Sequence, residues 1–116
     1  MNNSYFDLVY RVTQAIPKGR VTNYGAIADF LALGSARMVG WALNKCHGKN
    51  VPAHRVVNRK GELSGRNMFP NPTMMQQLLE QEGVTVDNDK VTEFKTLFWH
   101  PGEYLDQDDF DYKKDD

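Results

Sequence analysis

The chain has 116 residues, of which 41% are hydrophobic, and this size suits a single small domain with one core. No stretch approaches the roughly 20 apolar residues that a membrane-spanning helix needs, and the N-terminus lacks the basic and apolar regions of a signal peptide. The single cysteine, Cys46, excludes an internal disulfide framework and predicts a reducing, intracellular compartment.

The net charge of −1 conceals an asymmetry along the chain. Residues 1–67 hold ten Lys and Arg against three acidic residues, a net charge of +7, whereas residues 68–116 hold four basic against twelve acidic residues, a net charge of −8. A basic half suits a polyanion such as DNA, although ordinary solvated surface charge explains it equally well. Residues 105–116 form an acidic segment that is predicted to be a disordered tail, which leaves residues 1–104 as the folded domain.

Two helices are predicted near the N-terminus. The first is capped by Ser4 and carries an apolar stripe at helical spacing that ends at Ile16. The second begins after a cap formed by Thr22 or Asn23 and ends at about Ala32.

A third helix is predicted from a cap at Ser35 to about Cys46, after a turn at Leu33-Gly34. Two short helices around a tight turn are typical of a helix-turn-helix, although many other small helical domains contain such a pair. The predicted buried face consists of Val39, Ala42, Leu43 and Cys46. The opposite side presents Ala36, Arg37, Gly40, Trp41, Asn44 and Lys45. The small residues Ala36 and Gly40 allow this helix to approach either a ligand or a neighbouring helix closely.

The second half of the chain is predicted to add one longer helix. Pro72 suits the first position of a helix that is capped by Asn71 and runs to about Glu82. Its core side carries Met75, Leu78 and Leu79.

Short β elements surround that helix in the sequence. Val51 and the pair Val56-Val57 indicate a short buried strand. Residues 84–86 and 91–94, on either side of a turn, indicate a small wing-like hairpin. The predicted fold class is therefore mainly α with small β elements, in a winged helix-turn-helix-like domain.

The segment Pro52-Ala53-His54-Arg55-Val56 resembles the Pro-Cys-His-Arg-Val active-site motif of the O6-alkylguanine-DNA alkyltransferases. Ala53 stands where that family carries its alkyl-accepting cysteine, which is the pattern of the alkyltransferase-like proteins. Four other segments resemble the family in the same order: residues 16–28, 35–40, 58–64 and 80–84. The resemblance implies the C-terminal, DNA-binding domain of the alkyltransferases as the fold.

Alanine at residue 53 changes the chemistry that the resemblance implies. A thiolate can accept an alkyl group by direct displacement, whereas a methyl side chain has no lone pair to offer. The expectation is therefore lesion recognition without repair, with no catalytic residue. A guanine alkylated at O6 lies inside the duplex, so the protein must extrude the nucleotide to inspect it. The resemblance implies that Arg37 fills the vacated space and that Tyr24 crowds the 3′ phosphate.

The resemblance divides the remaining site residues between two surfaces. On the third helix, Ser35, Ala36 and Gly40 would let the backbone enter the minor groove. Trp41 replaces a small residue common in the family and is predicted to stack on a sugar or base, or to pack against the loop at Lys49-Asn50. The predicted DNA contact consists of Tyr24, Ser35, Ala36, Arg37, Gly40, Trp41, Asn44 and Lys45. The predicted alkylguanine pocket consists of Tyr24, Val51, Pro52, Ala53, His54, Arg55, Ser64 and Arg66.

Several of these residues have alternative interpretations. Arg66 matches an arginine that lies over the lesion base in alkyltransferase-like proteins, but a phosphate contact or a solvated loop position is also open. Without a thiol to activate, His54 is predicted to make a structural hydrogen bond, and Arg55 to support the same loop or to bind a phosphate. Tyr24 could be a half-buried aromatic residue at a helix end. Ala53 is smaller than the tryptophan of many alkyltransferase-like proteins, which predicts a wider pocket for bulky adducts.

Three functions follow from these observations. The first is a non-enzymatic, monomeric sensor that binds O6-alkylguanine in double-stranded DNA and marks it for nucleotide excision repair proteins. The second is a sequence-specific winged-helix regulator, and the third is an alkyltransferase that uses Cys46. No cofactor is expected, and His47 and His100 lack metal-ligand spacing with Cys46. A nucleoid-associated location is expected if the source is bacterial.

Overall fold

A computed structural model describes residues 5–46 and 48–110 of the chain. The described part is mainly helical with two small two-stranded sheets, as predicted. Its helices and strands are α1 (Tyr5–Ala15), β1 (Thr22–Asn23), α2 (Tyr24–Phe30), α3 (Ala36–Leu43), β2 (Val56–Val57), α4 (Met74–Gln81), β3 (Val86–Asp87), β4 (Lys90–Val91) and α5 (Phe94–Leu97). Short 3-10 turns lie at Ala53–Arg55, Arg66–Met68, Pro101–Glu103 and Gln107–Phe110.

The first three helices surround one hydrophobic core. The predicted stripe of α1 is confirmed, because Leu8, Val12 and Ile16 are all buried in this core. Tyr10 joins α1 to α3, since its hydroxyl donates a hydrogen bond to the Ala42 carbonyl at 2.8 Å. Ser4, the predicted cap of α1, lies outside the described residues.

The helix-turn-helix consists of α2, α3 and the turn between them. Asn23 caps α2, as predicted, because its side-chain oxygen accepts a hydrogen bond from the Ala26 amide at 2.7 Å. The helix ends at Phe30 rather than at the predicted Ala32. Ala32 adopts a left-handed conformation with φ 56°, and the next amide, that of Leu33, bonds back to Ala28 at 2.9 Å.

The end of α3 differs from the prediction. The helix was expected to reach Cys46 but ends at Leu43. The amides of Lys45 and Cys46 bond to carbonyls only three residues back, those of Ala42 and Leu43, so the chain tightens into a turn. Cys46 is therefore half-buried at the edge of the core and does not belong to the buried face of the helix.

A parallel pair of strands joins the helix-turn-helix to the second half of the chain. Thr22 in β1 faces Val56 in β2, and Asn23 faces Val57. The predicted strand is confirmed at Val56-Val57, while Val51 lies outside it. Because α2 follows β1 directly and the 3-10 turn Ala53–Arg55 precedes β2 directly, this pairing holds the start of α2 beside the chain that contains Ala53.

A second core lies beneath α4 and the hairpin. Met75 and Leu79 are fully buried in it as predicted, but Leu78 is only half-buried. The helix begins at Met74 rather than at Pro72, because the Asn71 side chain accepts hydrogen bonds from the amide and hydroxyl of Thr73. These contacts form a local turn before the helix, so Asn71 does not cap it.

The wing is a tighter hairpin than the sequence predicted. Strands β3 and β4 pair in antiparallel register through a two-residue turn, Asn88-Asp89, in which both residues have positive φ. The second strand was expected to reach Phe94, but that residue starts α5 instead. Phe94 packs on Gly61, where a Cβ would lie only 3.1 Å from its ring.

The segment after residue 104 is not disordered where the structure describes it, so that part of the prediction is wrong. Its last turn, Gln107–Phe110, packs on α1 and α2. The Phe110 ring lies 5.4 Å from the Phe30 ring, and the Arg11 guanidinium lies 4.5 Å above Phe110. Apolar and cation–π contacts thus outweigh the charge of the surrounding aspartates. Residues 111–116 lie outside the described part, and the domain boundary at residue 104 stays a prediction.

Phe110→Ala should lower the free energy of unfolding by about 1–2 kcal/mol, because it removes both ring contacts. Urea unfolding followed by circular dichroism measures this change. Glu103→Gln, at an exposed residue just before the segment, is the control and should leave the midpoint unchanged. Equal midpoints for Phe110→Ala and the control would contradict the observed docking.

Candidate nucleic-acid interface and base pocket

The outer face of α3 is an open strip of small and basic residues. Ala36 and Arg37 are exposed, and a Cβ built on Gly40 would meet no atom within 4 Å. Of the two alternatives from the sequence, an open surface is therefore observed, and no helix among residues 5–46 and 48–110 contacts Gly40. Asn44 and Lys45 extend this exposed surface just past the end of the helix.

Two further predicted DNA contacts border this strip. Ser35 precedes α3 in an extended conformation, but its hydroxyl makes no capping hydrogen bond, so the predicted cap is only positional. Trp41 is 55% exposed, which does not support packing against the loop at Lys49-Asn50. Both side chains are therefore available to a ligand that lies along α3.

The segment Pro52-Ala53-His54-Arg55-Val56, called the signature segment below, forms a 3-10 turn at Ala53–Arg55. Ala53 is 5% exposed and belongs to the first core, while Pro52 and Val51 are half-buried before it. No sulfur or other nucleophile is present at residue 53. The turn thus presents a small apolar side chain at this position.

The residues after Ala53 hold this turn in place through Glu82 at the end of α4. Arg55 donates hydrogen bonds from Nε to Glu82 Oε1 at 3.0 Å and from Nη2 to Glu82 Oε2 at 2.7 Å. His54 Nε2 lies 2.8 Å from the same Oε2, and the Gly19 amide donates to Oε1 at 3.3 Å. Arg55 also donates to the Ile16 carbonyl at 2.7 Å. Arg55 therefore supports the loop, as one of the two alternatives predicted, and the phosphate contact stays a prediction.

This cluster changes the protonation of its members. Burial would raise the pKa of the Glu82 carboxyl, but the hydrogen bonds from Arg55 and His54 outweigh it and lower the pKa from 4.5 to about 2. Burial lowers the pKa of His54 below 6.5, although its bond to Glu82 opposes the shift. His54 is therefore neutral at neutral pH and donates its Nε2 proton to the carboxylate, which leaves Nδ1 as an acceptor. The expected structural hydrogen bond of His54 is confirmed.

Tyr24 links the start of α2 to the loop after the signature. The residue is half-buried, and its hydroxyl shares a hydrogen bond with the Ser64 side chain. Burial raises the pKa of Tyr24, and the bond to Ser64 opposes the shift only in part. A Cβ on the adjacent Gly65 would lie 2.6 Å from the Tyr24 hydroxyl and 2.7 Å from Met68 Cε. Only glycine fits between these two side chains as they stand.

Arg66 begins the 3-10 turn that follows Gly65. It is half-buried, and its Nη1 donates to the Leu63 carbonyl at 3.1 Å. This bond holds the guanidinium against its own loop, so the residue is not a freely solvated arginine.

The structure brings together two sets of predicted pocket residues and adds members that were not predicted. Tyr24 and Ser64 are in contact, and His54 and Arg55 share Glu82. Residues missed were Glu82, Gly65 and Met68. Glu82 lies 28 residues after His54, so no local pattern linked them; only its place in a segment that resembles the family could have drawn attention to it.

Two kinds of feature are absent from residues 5–46 and 48–110. No helix among them is long and apolar enough to cross a bilayer. They contain no group of three or more His, Cys, Asp or Glu side chains arranged to hold a metal ion.

Glu82→Gln should destabilise the protein at pH 7 by roughly 3 kcal/mol, because the buried Arg55 loses its charged partner. A carboxyl with a depressed pKa stabilises the fold fully above its unfolded value, 4.5, and loses that effect as the pH falls towards 2. The stability difference between the wild type and the variant should therefore shrink over this range. Urea titrations at several pH values measure it.

Glu80→Gln is the matched control for this experiment, since the Glu80 carboxylate is exposed and bonds only to the Gln76 side chain in the described contacts. It should cost less than about 0.5 kcal/mol at every pH. A pH-independent effect of Glu82→Gln would contradict the assigned role of the carboxylate.

Comparison with known proteins is consistent with this arrangement. The family described as 6-O-methylguanine DNA methyltransferase, DNA binding domain, matches residues 4–84. Alkyltransferase-like protein 1 of Schizosaccharomyces pombe is 35% identical over 85% of this chain and 97% of its own length. The DNA base-flipping protein of Escherichia coli is 34% identical over 84% of this chain and 76% of its own length.

Solved structures show the same similarity. The crystal structure of S. pombe Atl1 in complex with damaged DNA containing O6-carboxymethylguanine superposes with a TM-score of 0.76 at 30% identity, over 85% of this chain and 98% of that one. The chain belongs to the 6-O-methylguanine DNA methyltransferase family, through its DNA-binding domain.

Proposed function

We propose that this protein recognises O6-alkylguanine in duplex DNA by extruding the nucleotide into a pocket beside Ala53, and that it leaves the lesion unrepaired. The observation that carries the proposal is the combination of an open α3, which exposes Arg37 and small residues, with a turn at Ala53 that has no thiol. The relatives named for base flipping, and the Atl1 complex with damaged DNA, support the same function.

Helix α3 would enter the minor groove with its strip of small residues. Ala36 and Gly40 bring the backbone close to the groove floor, and Ser35 offers a free hydroxyl at the helix start. Arg37 would occupy the space left by the extruded base, since a planar cation can both stack and donate hydrogen bonds. Tyr24 would crowd the backbone 3′ to the lesion from the start of α2 and favour rotation of the nucleotide.

The extruded base would lie against Ala53, with the loop around Ser64 and Arg66 over it. Ser64 offers a hydroxyl, and the guanidinium of Arg66, which donates to the Leu63 carbonyl, would stack on the base. A methyl group at residue 53 leaves more room than a larger side chain, so bulky O6 adducts should be tolerated as well as methyl.

Two features argue against repair by this protein. Ala53 cannot accept an alkyl group, and burial raises the pKa of the Cys46 thiol, which disfavours the nucleophilic thiolate. The bound complex would therefore serve as a signal, and handing it to nucleotide excision repair proteins is part of this proposal. Binding as a monomer, within the cell, is also proposed.

A duplex that carries one tritiated O6-methylguanine tests the function directly. We expect it to bind at least tenfold more tightly than the undamaged duplex, with all label left on the DNA. Titrations at two salt concentrations should give similar salt dependence for both duplexes, because the phosphate contacts are shared. Label on the protein would reveal a transferase that uses Cys46. Strong preference for one undamaged sequence would instead indicate a regulator.

Gly65→Ala should weaken binding of the lesion duplex roughly tenfold while leaving undamaged duplex binding nearly unchanged. The added Cβ would displace either Tyr24 or Met68, since it would lie within 2.7 Å of both. Gly25→Ala is the control, because its Cβ would meet only the Asn23 side chain at an ordinary 3.6 Å. An unchanged lesion preference in Gly65→Ala would show that this loop does not contact the base.

A further inference from the structure

Trp41 is a large aromatic side chain that makes no ring contact or side-chain hydrogen bond among residues 5–46 and 48–110. It is 55% exposed, and the only other large apolar side chain with comparable exposure among the described residues is Tyr104. Tyr104 stacks in parallel on Trp99, with ring centroids 5.6 Å apart, so it has a partner within the fold. Trp41 lies instead on the strip of α3 that we assign to DNA, beside the open position at Gly40.

The spacing on α3 relates Trp41 to Arg37. The two residues are four positions apart, so they lie on nearly the same side of the helix, with a separation of about 6 Å along its axis. Successive bases on one strand are separated by about 3.4 Å. If α3 lies along the groove with Arg37 in the lesion gap, Trp41 meets the duplex about two base steps away.

We propose that Trp41 is a second side chain inserted into the duplex, which partly unstacks the base step that it meets. This inference rests on the proposed function, because it places α3 in the minor groove. An apolar ring that enters this groove opens and kinks the step, and the bent duplex can then contact more protein surface. The basic Lys45, four positions after Trp41, would hold a phosphate close enough for insertion.

This role differs from that of Arg37 in two measurable ways. Trp41 carries no charge, so its removal should weaken binding without changing the salt dependence, whereas removal of an arginine that contacts DNA reduces it. Trp41 also lies away from the lesion gap, so it should contribute to lesion and undamaged duplexes by a similar factor. The lesion preference should therefore survive its loss.

The test places 2-aminopurine, which brightens when unstacked, at successive positions on both sides of a single O6-methylguanine. With the wild-type protein we expect a bright position about two steps from the lesion. Trp41→Ala should abolish it and weaken both duplexes roughly tenfold, since stacking of a base on an aromatic ring is of that order. Trp41→Phe should restore part of both effects, and Arg37→Ala should keep the distant signal.

The intrinsic fluorescence gives an independent measurement. Of the two tryptophans, Trp99 is only 2% exposed, so acrylamide should quench mainly Trp41 in the free protein. DNA should protect Trp41 from acrylamide, and Trp41→Phe should remove that response. Tyr104→Ala, which removes an equally exposed ring outside α3, controls for general loss of surface aromatics and should bind DNA normally.

These outcomes separate the two proposals. If the wild type prefers the lesion but Trp41→Ala neither dims a distant position nor weakens binding, the insertion of Trp41 is wrong and the proposed function stands. If the wild type shows no lesion preference, the proposed function itself fails. Trp41→Ala should unfold at the wild-type urea midpoint, because its side chain is mostly exposed.

Discussion

The rest of the structure depends on the hydrogen bonds that the Glu82 carboxylate accepts. Its two oxygens accept hydrogen bonds from Arg55, His54 and the Gly19 amide, so one side chain ties the end of α4 to the signature turn and to the loop after α1. Arg55 continues the connection to the Ile16 carbonyl. Because these charges are largely buried, removal of any partner leaves another without compensation, and the two cores lose their shared support.

The cluster of Glu82, Arg55 and His54 explains how one small domain can position both a DNA-binding helix and the proposed base pocket. The pairing of β1 with β2 sets Tyr24 beside the chain that carries Ala53. The hydrogen bonds between Arg55 and Glu82 fix the same chain to the end of α4. Gly65 then lets the following loop approach Tyr24 closely. In the proposed function, a nucleotide displaced at α2 and α3 would move towards this loop and the turn that contains Ala53.

Much of the fold could be predicted from the sequence because local rules governed it. Asn23 caps α2 as expected, and the stripe of α1 is buried. The ends of the helices were harder to predict. Helix α3 ends at Leu43 because the amides of Lys45 and Cys46 bond to carbonyls three residues back, and no residue type in this segment indicates such a change. The docking of Phe110 was not predicted because the acidic composition favoured disorder. Contacts of its ring with Phe30 and with the Arg11 guanidinium hold the segment in place. In the site, the motif around Ala53 predicted His54 and Arg55. Their partner Glu82 was not predicted because it lies far away in the sequence and approaches them only in the folded chain.

The lack of a thiol at residue 53 changes what the remaining contacts must do. A transferase converts its bound lesion into a covalent product, so the lifetime of its initial complex matters little once transfer is fast. A protein with alanine at residue 53 forms no such bond, and its complex lasts only as long as noncovalent dissociation allows. If the complex acts as the proposed signal for repair, it needs slow dissociation. Charged contacts mainly accelerate association, whereas a desolvated aromatic ring such as Trp41 would slow departure without making the complex more sensitive to salt.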